Sequence, residues 1–176
     1  MQILAISGSL RAQSSNTAAL EAAARLAPRE MQVVRYRDLA NLPHFNPDLD
    51  GDEPPAIIQS LRNQVMISQG ILISSPEYAR GVAGALKNAL DWLVSSLEFP
   101  GKPVALINAS PRASDADAQL RLILTTMSAS LVQEACVTLP LLGRGLDAEG
   151  IVADPELSGP LSAALAKFFD YIVAST

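Results

Sequence analysis

Three polar stretches carry the residue types that could hold a charged, flat ligand. The first, Ser7-Gly8-Ser9-Leu10-Arg11 with Ser14-Ser15-Asn16 just beyond, follows the apolar run Ile3-Leu4-Ala5-Ile6. An apolar run closed by a glycine turn reads as a buried strand, and Ser14, Ser15 or Asn16 can cap a following helix. A helix N-terminus offers unpaired amides and the positive end of its dipole. Hydroxyls on Ser9, Ser14 and Ser15 add donors, and the Arg11 guanidinium is a fork suited to phosphate. Residues 7–16 therefore read as a phosphate cradle. They would equally make an ordinary strand–turn–helix junction, with the serines as caps and Arg11 in solvent. Neither G-x-x-x-x-G-K-S/T nor G-x-G-x-x-G occurs, so a terminal monophosphate fits better than a buried pyrophosphate.

The second stretch, Ser75-Pro76-Glu77-Tyr78-Ala79-Arg80-Gly81, is short and polar with an aromatic in its middle. Its backbone can line the polar edge of a ring while Tyr78 supplies a packing wall. Phosphate at one end and a heteroaromatic ring at the other describes flavin mononucleotide. A strand-terminating proline turn with Tyr78 in a core or interface is the plainer alternative. The third stretch, Ser110-Pro111-Arg112-Ala113-Ser114-Asp115, adds a hydroxyl, a cation and a carboxylate.

Five short apolar strands must position these loops: 3–6, 32–37, 70–75, 102–108 and 134–139. Between them, helical periodicity places helices at 15–27, from about 52 to 65, over Val82 to Leu97, and over Leu120 to Leu131. A closing helix carries Leu161, Leu165, Phe168, Phe169 and Ile172 after a Gly- and Pro-containing loop to about Gly159. Alternating strands and helices predict an α/β fold, a parallel sheet covered on both faces. Strand order 2-1-3-4-5 brings the loops after strands one, three and four together at the carboxyl edge.

One domain over residues 1–176 is expected from the length. No apolar run reaches the ~18–20 residues of a membrane span, and a strand pattern opens the chain without a basic leader. A single cysteine, Cys136, and a single histidine, His44, leave no disulfide and no metal constellation; both read as structural, Cys136 in a buried strand. A net charge of −5 argues against nucleic acid. The expectation is a cytoplasmic protein with no membrane and no nucleic-acid partner.

The segments Gly8-Ser9-Leu10-Arg11…Ser15-Asn16 and Pro76-Glu77-Tyr78…Gly84-Ala85-Leu86-Lys87-Asn88-Ala89-Leu90-Asp91-Trp92 resemble the NAD(P)H-dependent FMN reductase family. Its motifs are G-S-L-R-x-x-S-x-N and P-E-Y-N-x-x-x-P-G-x-L-K-N-A-x-D-W. The resemblance implies a three-layer flavodoxin-like fold and FMN held by its phosphate on Ser9, Arg11, Ser15 and Asn16. It implies a ring edge on Pro76, Glu77, Tyr78 and Ala79, with Ser110 near the ring. NADPH or NADH would be the donor, and a quinone, flavin, azo compound or chromate-like oxyanion the acceptor. The flavin carries the chemistry, so no catalytic side chain is implied. A homodimer or homotetramer is implied as well, with Trp92 suited either to a subunit contact or to helix–sheet packing. Ala79 stands where the family has Asn, Ala83 where it has Pro, and the third loop lacks a Ser-x-Gly-Gly run. Arg80 or Arg112 could steady a reduced flavin or hold the NADPH phosphate. A flavin-binding electron carrier or sensor, or a domain using the crevice for another phosphorylated ligand, are the rival readings.

Overall fold

The computed structural model describes residues 1–175. Its elements run β1 (Gln2–Ser7), α1 (Ser15–Leu26), β2 (Gln32–Arg35), α2 (Ala56–Ile67), β3 (Gly70–Ser74), β4 (Glu77–Tyr78), β5 (Gly81–Val82), α3 (Gly84–Leu93) and β6 (Pro103–Asn108). They continue α4 (Ser114–Thr126), β7 (Ser130–Leu131), β8 (Val137–Thr138), α5 (Ala148–Ala153) and α6 (Pro155–Ala174). The parallel sheet has the order β2-β1-β3-β6-β7, with β8 also beside β6. With β7 and β8 as two pieces of one fifth strand, this is the 2-1-3-4-5 order of a flavodoxin-like fold.

Alternation along each central strand builds the two covering layers. Ile3, Ala5, Leu72, Ala105 and Ile107 face α1 and α6, while Leu4, Ile6, Ile71, Ile73, Val104 and Leu106 face α2, α3 and α4. Every residue of β3 is buried, as a central parallel strand requires.

Several boundaries differ from the sequence expectation, each for a local reason. Val82 pairs with Glu77 in an antiparallel hairpin, so α3 starts only at Gly84, and Leu97 lies beyond its end, 92% exposed. α4 stops at Thr126 because Ser128 adopts φ +61, which turns Leu131 into β7. The expected strand 134–139 is broken by a 3-10 turn at Gln133–Ala135. Cys136 therefore sits between that turn and β8, half-buried, its Sγ accepting from the Leu106 N–H at 3.4 Å. α6 runs straight through Gly159 and Pro160, started by Asp154, whose side chain accepts from the Glu156 N–H.

Trp92 is fully buried rather than at a surface, which removes it as a subunit contact. Its indole Nε1 donates to the Pro43 carbonyl at 2.8 Å and its ring meets Phe45 edge-on at 5.1 Å. Asn88 clamps the same loop twice, donating to Pro43 O at 2.9 Å and accepting from the Phe45 N–H at 2.8 Å. The motif Lys-Asn-Ala-Leu-Asp-Trp thus fastens the long 38–55 connection to α3. Replacing Asn88 by Ala leaves the Phe45 N–H and one Pro43 lone pair without partners; a loss of about 2 kcal/mol in urea unfolding is expected.

Candidate functional site

The loop after β1 contains one glycine, and hydroxyls shape the rest of it. Ser7 Oγ lies 2.9 Å from Thr17 Oγ1 and accepts from the Ser9 N–H at 3.3 Å. Ser9 Oγ accepts from the Arg11 N–H at 3.4 Å, and Ser14 caps α1 by accepting from the Thr17 N–H at 3.3 Å. No acidic residue lies in the first turn of α1, so its positive end is uncompensated. Asn16 is buried, and its Oδ1 accepts from the Ser74 hydroxyl at 2.9 Å. That bond fixes the amide and leaves its N–H groups without a partner among the described residues.

Gly8 brings the first loop against the second. Its N–H donates to Ser74 O at 2.8 Å, and a Cβ there would stand 2.6 Å from Ser75 Oγ and 3.2 Å from Ser75 Cα. Only glycine permits this approach.

The second loop is a hairpin, not an open turn. Ala79 and Arg80 occupy its two central positions with φ +48 and +61, a turn that normally selects Asn or Gly. Three contacts hold the hairpin to α4. The Glu77 carboxylate accepts from the Asp115 and Ala116 N–H groups at 3.1 and 2.9 Å, capping a helix whose own N-cap residue, Ala113, has no side-chain oxygen to offer. Arg80 pairs with Asp115 at 2.5 Å, and Gln119 donates to Arg80 O at 2.8 Å. Asp115 holds the Arg80 guanidinium more firmly protonated than usual. The third loop is a turn in which the Asn108 side chain accepts from the Ser110 N–H at 3.0 Å and Ser110 Oγ accepts from the Arg112 N–H at 3.2 Å.

The three loops enclose a cleft of about 370 Å³ at the carboxyl edge of the sheet. Ser9, Arg11, Ser15, Asn16, Pro76, Glu77, Tyr78 and Ser110 all line it, together with Arg112. Of the expected residues only Ala79 is outside, at the hairpin tip. Arg80 is outside as well, drawn off by Asp115, whereas the exposed Arg112 side chain has no hydrogen-bond partner among the described residues. Leu142, from the loop after β8, lines the cleft too; nothing in its sequence surroundings distinguishes it. Asn108 was legible only as the end of a strand. Among the described residues no group of His, Cys, Asp or Glu could hold a metal ion.

This arrangement fits FMN: hydroxyls, a guanidinium, a helix N-terminus with no acidic residue in its first turn and a fixed amide at one end, backbone and Tyr78 at the other. Residues 1–141 match the model of the family described as NADPH-dependent FMN reductase. The chain belongs to that family. It is 35% identical to an NAD(P)H-dependent FMN reductase of Pseudomonas aeruginosa over 88% of this chain and 85% of that one. A quinone reductase of Escherichia coli is 34% identical over 62% of this chain and 60% of its own length. Among solved structures, the flavoenzyme NAD(P)H:(acceptor) oxidoreductase of Paracoccus denitrificans superposes with a TM-score of 0.85 at 27% identity, covering 98% of this chain and 97% of that one. The protein is therefore an oxidoreductase with FMN as cofactor and NAD(P)H as donor.

Two variants probe the loop geometry. Ala79→Gly relieves a left-handed alanine and should raise stability by about 1 kcal/mol, read as a higher Tm. Glu77→Ala uncaps α4 and should cost about 1–2 kcal/mol.

Proposed function

We propose that FMN lies in this cleft with its phosphate on Ser9, Arg11, Ser15, Asn16 and the N-terminus of α1. The backbone of Pro76, Glu77 and Tyr78 would hold its ring edge, with Ser110 near the ring. Glu77 contributes main chain rather than carboxylate, because that carboxylate is already spent on α4. Ala79 shapes the turn without touching the ring. The observation that carries the reading is the polarity of one cleft: an anion-binding end and a backbone-lined end, both on loops fixed by the sheet.

Bound FMN would supply the electron transfer between NAD(P)H and a second substrate. The chain binds and orients. Arg11 neutralises the phosphate, and the Asn16 amide and Ser9 hydroxyl fix its position. Arg112 on the rim raises the positive potential where negative charge develops on reduction. Tyr78 is 53% exposed, and among the described residues no second aromatic lines the cleft. The cleft thus offers a bound ring a single aromatic neighbour, which favours a reductase over a carrier that sandwiches its flavin between two. The acceptor is a small molecule, a quinone foremost, as the names of the relatives suggest. The chain works as one domain, in the cytoplasm, in a homodimer or homotetramer, with exposed Leu10 and Tyr78 beside the site as candidate contact residues.

Steady NADPH or NADH oxidation dependent on added quinone is expected of the FMN-loaded protein. Tight FMN without turnover would mark it as a carrier. Arg11→Ala should weaken FMN by about 1–3 kcal/mol in fluorescence titration while riboflavin affinity hardly changes. Equal losses for both flavins would remove Arg11 from the phosphate.

A further inference from the structure

The residues assigned to FMN leave part of the cleft wall unused. Arg112 and Leu142 both line the cleft, and neither holds the phosphate or the ring edge in the reading above. They stand on two loops, one after β6 and one after β8, that the main chain ties together. The Leu139 N–H donates to Asn108 O at 2.8 Å and the Leu141 N–H to Ala109 O at 3.2 Å, carrying the β6–β8 pairing past the end of the sheet. Arg112 lies inside a turn closed by the Ala113 N–H donating to Ser110 O at 3.1 Å. Leu142 follows the buried Leu141 and is itself 57% exposed. The two side chains therefore belong to one fixed stretch of wall.

The charges around that wall are unevenly committed. Among the described residues three charged side chains line the cleft: Arg11, Glu77 and Arg112. Arg11 belongs to the FMN phosphate under the reading above, and the Glu77 carboxylate is taken by the first amides of α4. The carboxylates on the adjoining turn of α4 are paired as well, Asp115 with Arg80 at 2.5 Å and Asp117 with Arg121 at 2.6 Å. Arg112 alone keeps an uncommitted charge at the cleft. The chain as a whole carries −5, so this rim is a positive spot on a negative molecule. A cleft of one sign raises the local concentration of small ions of the other. Arg112 also stands where the Ser-x-Gly-Gly run described above has a glycine, so the charge is particular to this chain.

An exposed leucine and a free guanidinium on joined loops of one cleft match two parts of one molecule. The leucine offers apolar surface to a ring, and the guanidinium offers paired N–H groups to a carboxylate or sulfonate on that ring. We propose that Arg112 and Leu142 form the acceptor-selecting wall, which favours flat quinoid or aromatic acceptors bearing an acidic substituent over neutral ones. Leu142 contributes to binding any such ring; Arg112 is the specificity-determining residue that tells the charged ring from the neutral one. The proposal rests on the reductase reading, since an acceptor has a place here only beside a flavin that it reoxidises.

The test has a kinetic arm and a binding arm, both on the FMN-loaded protein. In stopped flow, protein photoreduced under nitrogen is mixed with 1,4-naphthoquinone-2-sulfonate or with the neutral 2-methyl-1,4-naphthoquinone, and the returning flavin absorbance gives a rate constant for each. Starting from reduced protein keeps the donor out of the measurement, and comparing each variant's ratio with the parent's cancels the quinones' own reactivity. The ratio of sulfonated to neutral quinone should fall about threefold to fivefold in Arg112→Gln at low ionic strength, the effect of one exposed ion pair. Arg112→Lys should keep most of the parent ratio, and high salt should bring the parent down to the Gln variant. Leu142→Ser should slow both quinones alike. In calorimetry on the oxidised protein, 2-naphthalenesulfonate should bind about threefold to fivefold more tightly than 2-naphthalenemethanol, and Arg112→Gln should remove the difference. A ratio unmoved by Arg112→Gln would overturn the assignment, including the case in which both quinones slow equally because the guanidinium acts on the flavin instead. Equal binding of the two naphthalenes by the parent would overturn it too, and an unchanged rate in Leu142→Ser would remove Leu142 from the wall. Selective binding of the sulfonate by a protein that neither quinone reoxidises would contradict the reductase reading and leave the Arg112 site standing.

Discussion

The close approach of Gly8 to Ser75 is the constraint on which the site depends. Adjacent parallel strands β1 and β3 deliver their following loops to the same edge, and the Gly8 N–H to Ser74 O bond extends the ladder one residue past the sheet. A side chain at position 8 would push the phosphate loop off the hairpin and widen the cleft between them. Everything else at the site is arranged around that contact: the serine hydroxyls curl the first loop back onto α1, and Asn16 reaches across to Ser74. The Glu77 carboxylate then couples the hairpin to α4 and so to the third loop. The three loops behave as one unit because each is bonded to the next, not because any one is rigid alone.

Much of this was legible in the residues. The apolar runs located the four main strands, and their order placed the three loops together. Eight of the nine residues read as site residues from Ser9 to Ser110 do line one cleft. What was not legible has common physical causes. A two-residue hairpin with Ala79 and Arg80 at left-handed positions violates turn preference, so the second stretch read as a loop. The left-handed Ser128 gives no sequence signal, and with it went the end of α4 and the register of the fifth strand. Trp92 beside polar neighbours suggested a surface, whereas the long loop folds over it and supplies the Pro43 carbonyl for its indole. Glu77 read only as part of the ring-edge loop, because the capping of α4 by its carboxylate, from another element, cannot be read from local spacing.

The central claim is that this cleft holds FMN where NAD(P)H can reduce it and a small acceptor can reoxidise it. The most direct measurement is an anaerobic titration of the FMN-loaded protein followed by its visible flavin absorbance. Bleaching by about one equivalent of NADPH per bound flavin, with full return on adding quinone, is the predicted result. A protein that retains no flavin when FMN is supplied, or whose bound flavin neither donor bleaches, would contradict the account.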